Sequence, residues 1–258
     1  MTVTPARTGH HSVQIGCAGW ALRPQYAEHF AADGTHLQRY ASTFNAAEIN
    51  SSFFRPHRRA TYERWADSVP ADFRFSVKLP KEITHVRRFA DADEPLDRFL
   101  GEISGLGGKL GPVLVQLPPK FEFDAELASI FIGSLRNRFS GDIVWEPRHA
   151  SWFAGEVESL FGGHGVGRVA ADPAMVPEAA EPGGWAGITY FRLHGSPRIY
   201  YSRYTADFIR AIAERVRTAL EAGGNVWCIF DNTALGAATG DALSLKSELS
   251  QLIGVNYE

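Results

Sequence analysis

The sequence predicts a single α/β domain, a (β/α)8 barrel of the TIM type. Three observations carry that expectation. The chain has 258 residues, a length at which one barrel fits as well as two smaller domains. Eight short runs rich in β-branched and aromatic residues alternate with longer segments of helical period, as parallel strands joined by helices do. Several of the runs are almost wholly apolar, which strands covered on both faces require.

Residues 1–11 (MTVTPARTGHH) read as a mobile tail, and the His10-His11 pair as part of that tail rather than a metal site. The barrel domain is then 12–258. Strands are expected at 12–17, 44–49, 73–79, 112–117, 142–146, 166–171, 188–193 and 225–230. Helices are expected at 37–43, 61–67, 95–106, 124–139, 152–161, 205–222 and 237–252, with no clear helix in the sixth connection. The helix at 205–222 has the firmest signals. Thr205 is a candidate N-cap, Phe208, Ile212, Val216 and Leu220 form one stripe, and Gly223-Gly224 ends it. The competing architecture is a doubly wound open sheet. In a closed barrel the first and last strands are neighbours, so Cys17 and Cys228 would lie on adjacent strands; an open sheet makes no such demand.

Composition excludes several classes. Apolar residues make up 45% and charged residues 21%, too apolar for a disordered chain. The 25 glycines have no period and there are only 2 cysteines, which excludes a collagen-like or disulfide-stapled scaffold. A net charge of −3 supplies no global basic field for nucleic acid. Five Lys against 21 Arg among the cations favour fixed contacts to carboxylate or phosphate. No stretch approaches the length of a membrane span, and the first residues lack the apolar region of a secretory signal. The expectation is a cytoplasmic protein with reduced thiols, no membrane association and no obligate protein partner.

In barrels of this kind the site is built where strands end. Polar residues gather at those positions: Glu48 and Asn50 at the end of strand two, Lys78 at the end of strand three with His85 following, Gln116 at the end of strand four. Glu146, Arg148 and His149 follow strand five, Asp172 follows strand six, Arg192 and His194 end strand seven, and Asn232 follows strand eight. Side chains alternate along a strand, so Glu48 with Asn50, Glu146 with Arg148, and Arg192 with His194 each share a face and can point into one mouth. A purely structural ion network is the bland alternative. It explains so many charges poorly, because desolvation makes such networks little better than apolar packing.

The motifs resemble the YecE-like family, TIM-barrel proteins carrying a domain of unknown function. The matching segments are GCAGW at 16–20, FNAAEINSSFF at 44–54, FRFSVK at 73–78 with ITH at 83–85, LGPVLVQLPP at 110–119, EPRHASW at 146–152, RLHG at 192–195 and FDNT at 230–233. They occur in family order across about 13–245. The resemblance implies the barrel and no settled reaction. Two positions depart from the family pattern: Asp231 stands where the eighth-strand motif has Asn, and Asp241 stands where Asn precedes Ala.

The chemistry these residues best support is acid–base catalysis, of the hydrolase kind, on a phosphate-containing substrate, either a nucleic-acid phosphodiester or a sugar phosphate. Glu48, Glu146, Asp172, His194 and His85 are the candidate acids and bases. Asn50, Lys78, Gln116, Arg148, His149, Arg192, Arg198, Tyr200, Asn232 and Trp20 are candidate binding residues. The loop 195–204 adds Arg203 and two further tyrosines that can grip phosphate and stack on a base or sugar. The alternatives are a non-catalytic nucleotide or single-stranded nucleic-acid binder, a nuclease or isomerase using a divalent metal, and a glycosidase using Glu48 and Glu146. No cofactor is expected, since no HExxH or CxxC spacing supports a metal. The partner is an anionic small molecule or nucleic acid. Cys17, Cys228, Trp65, Trp185 and Trp227 read as packing residues.

Overall fold

The computed structural model describes residues 13–254. The expected tail therefore lies outside the described residues. The strands are β1 (Val13–Ala18), β2 (Ala46–Ile49), β3 (Arg74–Lys78), β4 (Leu110–Gln116), β5 (Ile143–Glu146), β6 (Val166–Arg168), β7 (Ala170–Asp172), β8 (Gly183–Gly184), β9 (Ile188–Leu193) and β10 (Asn225–Phe230). The helices are α1 (His36–Tyr40), α2 (Arg59–Asp67), α3 (Asp93–Ile103), α4 (Ala125–Arg138), α5 (Gly155–Gly163), α6 (Ala206–Glu221) and α7 (Ala237–Ile253).

The chain forms a nearly closed α/β barrel. All sheet pairings are parallel except β6 with β8. β1 pairs with β10, where Ile15 faces Cys228 and Cys17 faces Phe230, so the two cysteines do lie on adjacent strands. The sixth expected strand is broken at Val169. Its first half, β6, pairs with β5, and its second half, β7, pairs with β9, which carries the sheet nearly round to closure. The sixth connection holds only a 3-10 turn (Pro177–Ala180) and β8, with no α-helix.

Helix ends follow local chemistry. Thr205 caps α6 by accepting from the Phe208 amide, and Asp124 caps α4 by accepting from the Leu127 amide. The buried stripe of α6 is Ile209, Ile212, Ala213 and Val216, with Phe208 and Leu220 on its flanks. The expected stripe is thus turned by about one residue. α3 begins two residues before Pro95, which sits inside its first turn behind Asp93 and Glu94.

Strand parity divides the core into two. Outward-facing Ala47, Ile49, Phe75, Val77, Val113 and Val115 pack under the helices. Inward-facing Ala46, Leu114, Val144, Tyr190, Trp227 and Ile229 fill the barrel. Trp227 stacks on Tyr190 with 6.0 Å between centroids. Gly111 makes room for it: a Cβ there would stand 2.6 Å from the indole ring. Further along β2, β5 and β9 the inward positions change from apolar to charged. Ala46 is followed by Glu48, Val144 by Glu146, and Tyr190 by Arg192 and His194.

Candidate active site

Arg192 is the centre of the charged layer. Its side chain is fully buried and meets three carboxylates from three strands. Nη2 and Nε donate to the two oxygens of Glu48 at 2.7 and 3.0 Å. Nη1 donates to Glu146 at 3.1 Å, and Nη2 reaches Asp231 at 2.9 Å. This fork needs the planar guanidinium; an ammonium could not serve all three. Glu48 also accepts from the Tyr190 hydroxyl at 3.0 Å. That spends the tyrosine's one proton, so Ser76 donates to Tyr190 at 2.8 Å.

His194 bridges two of the same acids. Nδ1 lies 3.0 Å from Asp231 and Nε2 lies 3.0 Å from Glu146. Nε2 also lies 2.8 Å from Arg148 Nη2. Nδ1–H donates to Asp231 throughout. Nε2 accepts from Arg148 when bare and donates to Glu146 when protonated, so both forms of the imidazole find partners. That is the property a proton-transferring group needs.

The charges hold one another ionised. Burial alone would raise the Glu146 carboxyl, but Arg148, Arg192 and His194 hold it well below the usual range. Burial likewise opposes the charge on Asp231, and Arg192 and His194 bring its pKa below normal. Burial opposes the Arg192 charge too, and its three carboxylates raise it well above the usual value. Three carboxylates and two guanidiniums leave one negative charge, which a proton on His194 or the ammonium of Lys78 neutralises.

Lys78 and His85 form a different zone at the edge of this layer. Lys78 Nζ rests 4.0 Å from the centre of the Phe53 ring. No carboxylate lies within ion-pair distance of it among the described residues. Burial, then the charge of Arg192, push it down to about 8, against partial opposition from Glu48, Glu146 and Asp231. His85 packs edge-on against the same Phe53 ring and bonds the Thr84 hydroxyl at 2.8 Å. Burial and the cations Lys78, Lys81 and Arg148 push it down to about 4, so it is neutral at pH 7. Tyr200, exposed at 41%, stands edge-on over His194, and burial with Asp231 raises its hydroxyl. Its backbone is left-handed, with φ 70°, an uncommon state for a tyrosine.

The structure brings Glu48, Glu146, Arg148, Arg192 and His194 together, with Lys78, His85 and Tyr200 at the edge. Gln116 is buried opposite Glu146 in the β4–β5 register. Asn50 opens the turn after β2, and its Oδ1 is buried without a hydrogen-bond partner. The other candidates have structural partners. Asp172 accepts from the Tyr204 hydroxyl at 2.9 Å. Asn232 donates to Asp241 at 2.7 Å. His149 caps the turn at 150–153 through Ser151. Trp20 packs on Trp65 and Phe75. Arg198 stacks on Tyr201 in the exposed loop, 3.9 Å from the ring, and Arg203 pairs with Asp241. Cys17 and Cys228 are buried, with thiol pKa raised chiefly by that burial, to about 12 for Cys17.

Asp231, Tyr190 and Ser76 join the network without having been candidates. Parity could have found two of them, because Tyr190 and Ser76 lie two residues before Arg192 and Lys78 on the same faces. The donor set bears on the alternatives. Among the described residues no group of three His, Cys, Asp or Glu side chains is placed to hold a metal. Glu146, held ionised, does not suit the general-acid role of a glycosidase, and Glu48 lies behind Arg192 and Tyr190.

The family model described as "Protein of unknown function DUF72" matches residues 14–255. The chain belongs to the DUF72 family. DUF72 relatives include the UPF0759 protein YecE of Escherichia coli K12, 34% identical over 155 residues, which cover 57% of this chain and 56% of that protein. UPF0759 protein YunF of Bacillus subtilis is 29% identical over 150 residues, covering 55% and 52%. The chain thus spans about half the length of the curated relatives it matches. Among solved structures, a DUF72 protein from Enterococcus faecalis superposes with a TM-score of 0.80 at 20% identity, over 96% of this chain and 97% of that one. One from Thermotoga maritima gives 0.76 at 24% identity, over 93% and 100%. These two likenesses show the DUF72 fold. Among the described residues no helix is long and apolar enough to cross a membrane.

Proposed function

We propose that the C-terminal mouth of the barrel is an active site for acid–base chemistry on a phosphate-bearing substrate. The observation that carries this reading is the position of His194. Its imidazole is oriented by Asp231 through Nδ1, and its Nε2, beside Glu146 and Arg148, is the nitrogen that can take up or release a proton. An oriented imidazole with partners in both protonation states suits general acid–base work. The anion is held by Arg148, the less buried of the two guanidiniums, with Tyr200 above it. The buried pairs behind it keep Arg148 fixed in place.

Calorimetric titration with inorganic phosphate, a pentose phosphate and a short oligothymidylate tests the binding half. Phosphate-bearing ligands are expected to bind, and Arg148→Gln to weaken them about tenfold or more, roughly 1.4 kcal/mol. No binding, or equal binding by the variant, overturns the reading. Turnover of a bound ligand that vanishes in His194→Asn, with binding retained, supports the catalytic half.

A further inference from the structure

We propose that Lys78 is a carbonyl-capturing amine whose Nζ forms a Schiff base with an aldehyde or ketone group of the substrate. The inference rests on the mouth being a substrate site, and it narrows the substrate class to carbonyl compounds.

Lys78 ends β3, and parity turns it inward with Ser76. It is 6% exposed, and its nitrogen lies against the Phe53 ring rather than a carboxylate. Arg192 has taken Glu48 and shares Glu146 with Arg148, so the lysine stands beside acids already occupied. Two other lysines, Lys109 and Lys246, are also discouraged from charging by burial, but both donate to backbone carbonyls. Among the described residues the Lys78 ammonium has no such anchor. Held down to about 8, it exposes a neutral amine at pH 7 far more often than a free lysine does.

The step balances without a further reactant. The Nζ lone pair attacks the carbonyl carbon, a C–N bond forms, and the carbonyl π pair moves to oxygen, which takes a proton. Nitrogen loses a proton, the hydroxyl is protonated and leaves as water, and a C=N bond remains. His85, neutral at pH 7 and packed on the same Phe53 ring, is the neighbouring base available to take the proton from nitrogen. The resulting iminium draws electrons from the adjacent carbon, which then yields a proton to a base.

The whole protein is treated with pyridoxal 5′-phosphate, an aldehyde bearing a phosphate, then reduced with borohydride. Peptide mass spectrometry follows all five lysines. Lys78 is expected to be modified about tenfold faster than Lys81 or Lys120 at pH 7, with a rate that rises through pH 8 and then levels. Lys78→Arg should keep the fold and abolish only that adduct. Modification of Lys78 no faster than of Lys81 overturns the proposal, as does a rate still climbing well above pH 8. Phosphate-free pyridoxal separates the two readings. If it labels Lys78 as fast, and inorganic phosphate does not compete, the amine stands and the phosphate reading falls. If pyridoxal phosphate binds at the mouth yet leaves Lys78 unmodified, the phosphate reading stands and the amine falls.

Discussion

Arg192 and Lys78 are both cations buried in one barrel mouth, and they live in opposite circumstances. Arg192 has a carboxylate oxygen for each of its three nitrogens, and those pairs raise its pKa. Lys78 has an aromatic ring and no paired carboxylate, and burial lowers it. The difference comes from strand parity and branching. A guanidinium on β9 can fork between β2, β5 and the end of β10, while a single ammonium on β3 arrives after those acids are taken. One cation is woven into the fold; the other is left chemically available. Substitution should therefore have opposite signs in the two places.

The largest effect is expected at the paired cation. Arg192→Met leaves Glu48, Glu146 and Asp231 buried without their shared partner, at a cost of about 3–5 kcal/mol. Urea unfolding at pH 7 measures it. A loss below about 1 kcal/mol would mean that the acids relax to water and that the layer is not rigid.

Acid should find the same layer. Glu146 and Asp231 titrate lower folded than unfolded, so their contribution is complete above the unfolded carboxyl range near pH 4. It fades as pH falls through their folded values. Glu146→Gln should lose roughly 2 kcal/mol at neutral pH and show a shallower decline from pH 5 downward. Parallel wild-type and variant curves would place the titration elsewhere.

Legibility divides along the same boundary. The strands could be read because burial on both faces leaves apolar runs, and the mouth because charges at successive strand ends share a parity. The pairing could not be read, since Glu48 and Arg192 are separated by 144 residues and meet only through closure. Asp172 and Asn232 satisfy the same strand-end rule as Glu146, yet they bond to Tyr204 and Asp241. A strand end says that a residue nears the mouth; the neighbouring loop decides whether it faces it. The break at Val169 was likewise hidden, because Val169 is itself a good strand former and carries no turn signal.

At the unpaired cation the sign should reverse. The unfolded chain keeps Lys78 protonated to about pH 10.4, while the folded protein prefers it neutral above about 8. The unfolded state therefore binds more protons between those values, and wild-type stability gains from this group as pH rises across them. Lys78→Met should be more stable than wild type at pH 7 by about 1–2 kcal/mol and lack that gain. Thermal unfolding from pH 7 to 10 measures both. A destabilised variant would place Lys78 with Arg192, as a structural cation.

The smallest effect is at the joint between the two zones. Asp231 bonds Arg192 and His194, and its charge also supports the Lys78 ammonium. Asp231→Asn replaces the carboxylate with an amide of the same shape. The amide oxygen can still accept from both partners, so stability should change by less than about 1 kcal/mol. What is lost is one negative charge near Lys78, whose titration midpoint should move below the wild-type value of about 8. NMR titration of the lysine side chains, with Lys78→Arg assigning the signal, resolves the shift. A midpoint that stays put would mean that the Asp231 charge is spent on Arg192 and His194, leaving burial and Arg192 to set the chemistry of Lys78.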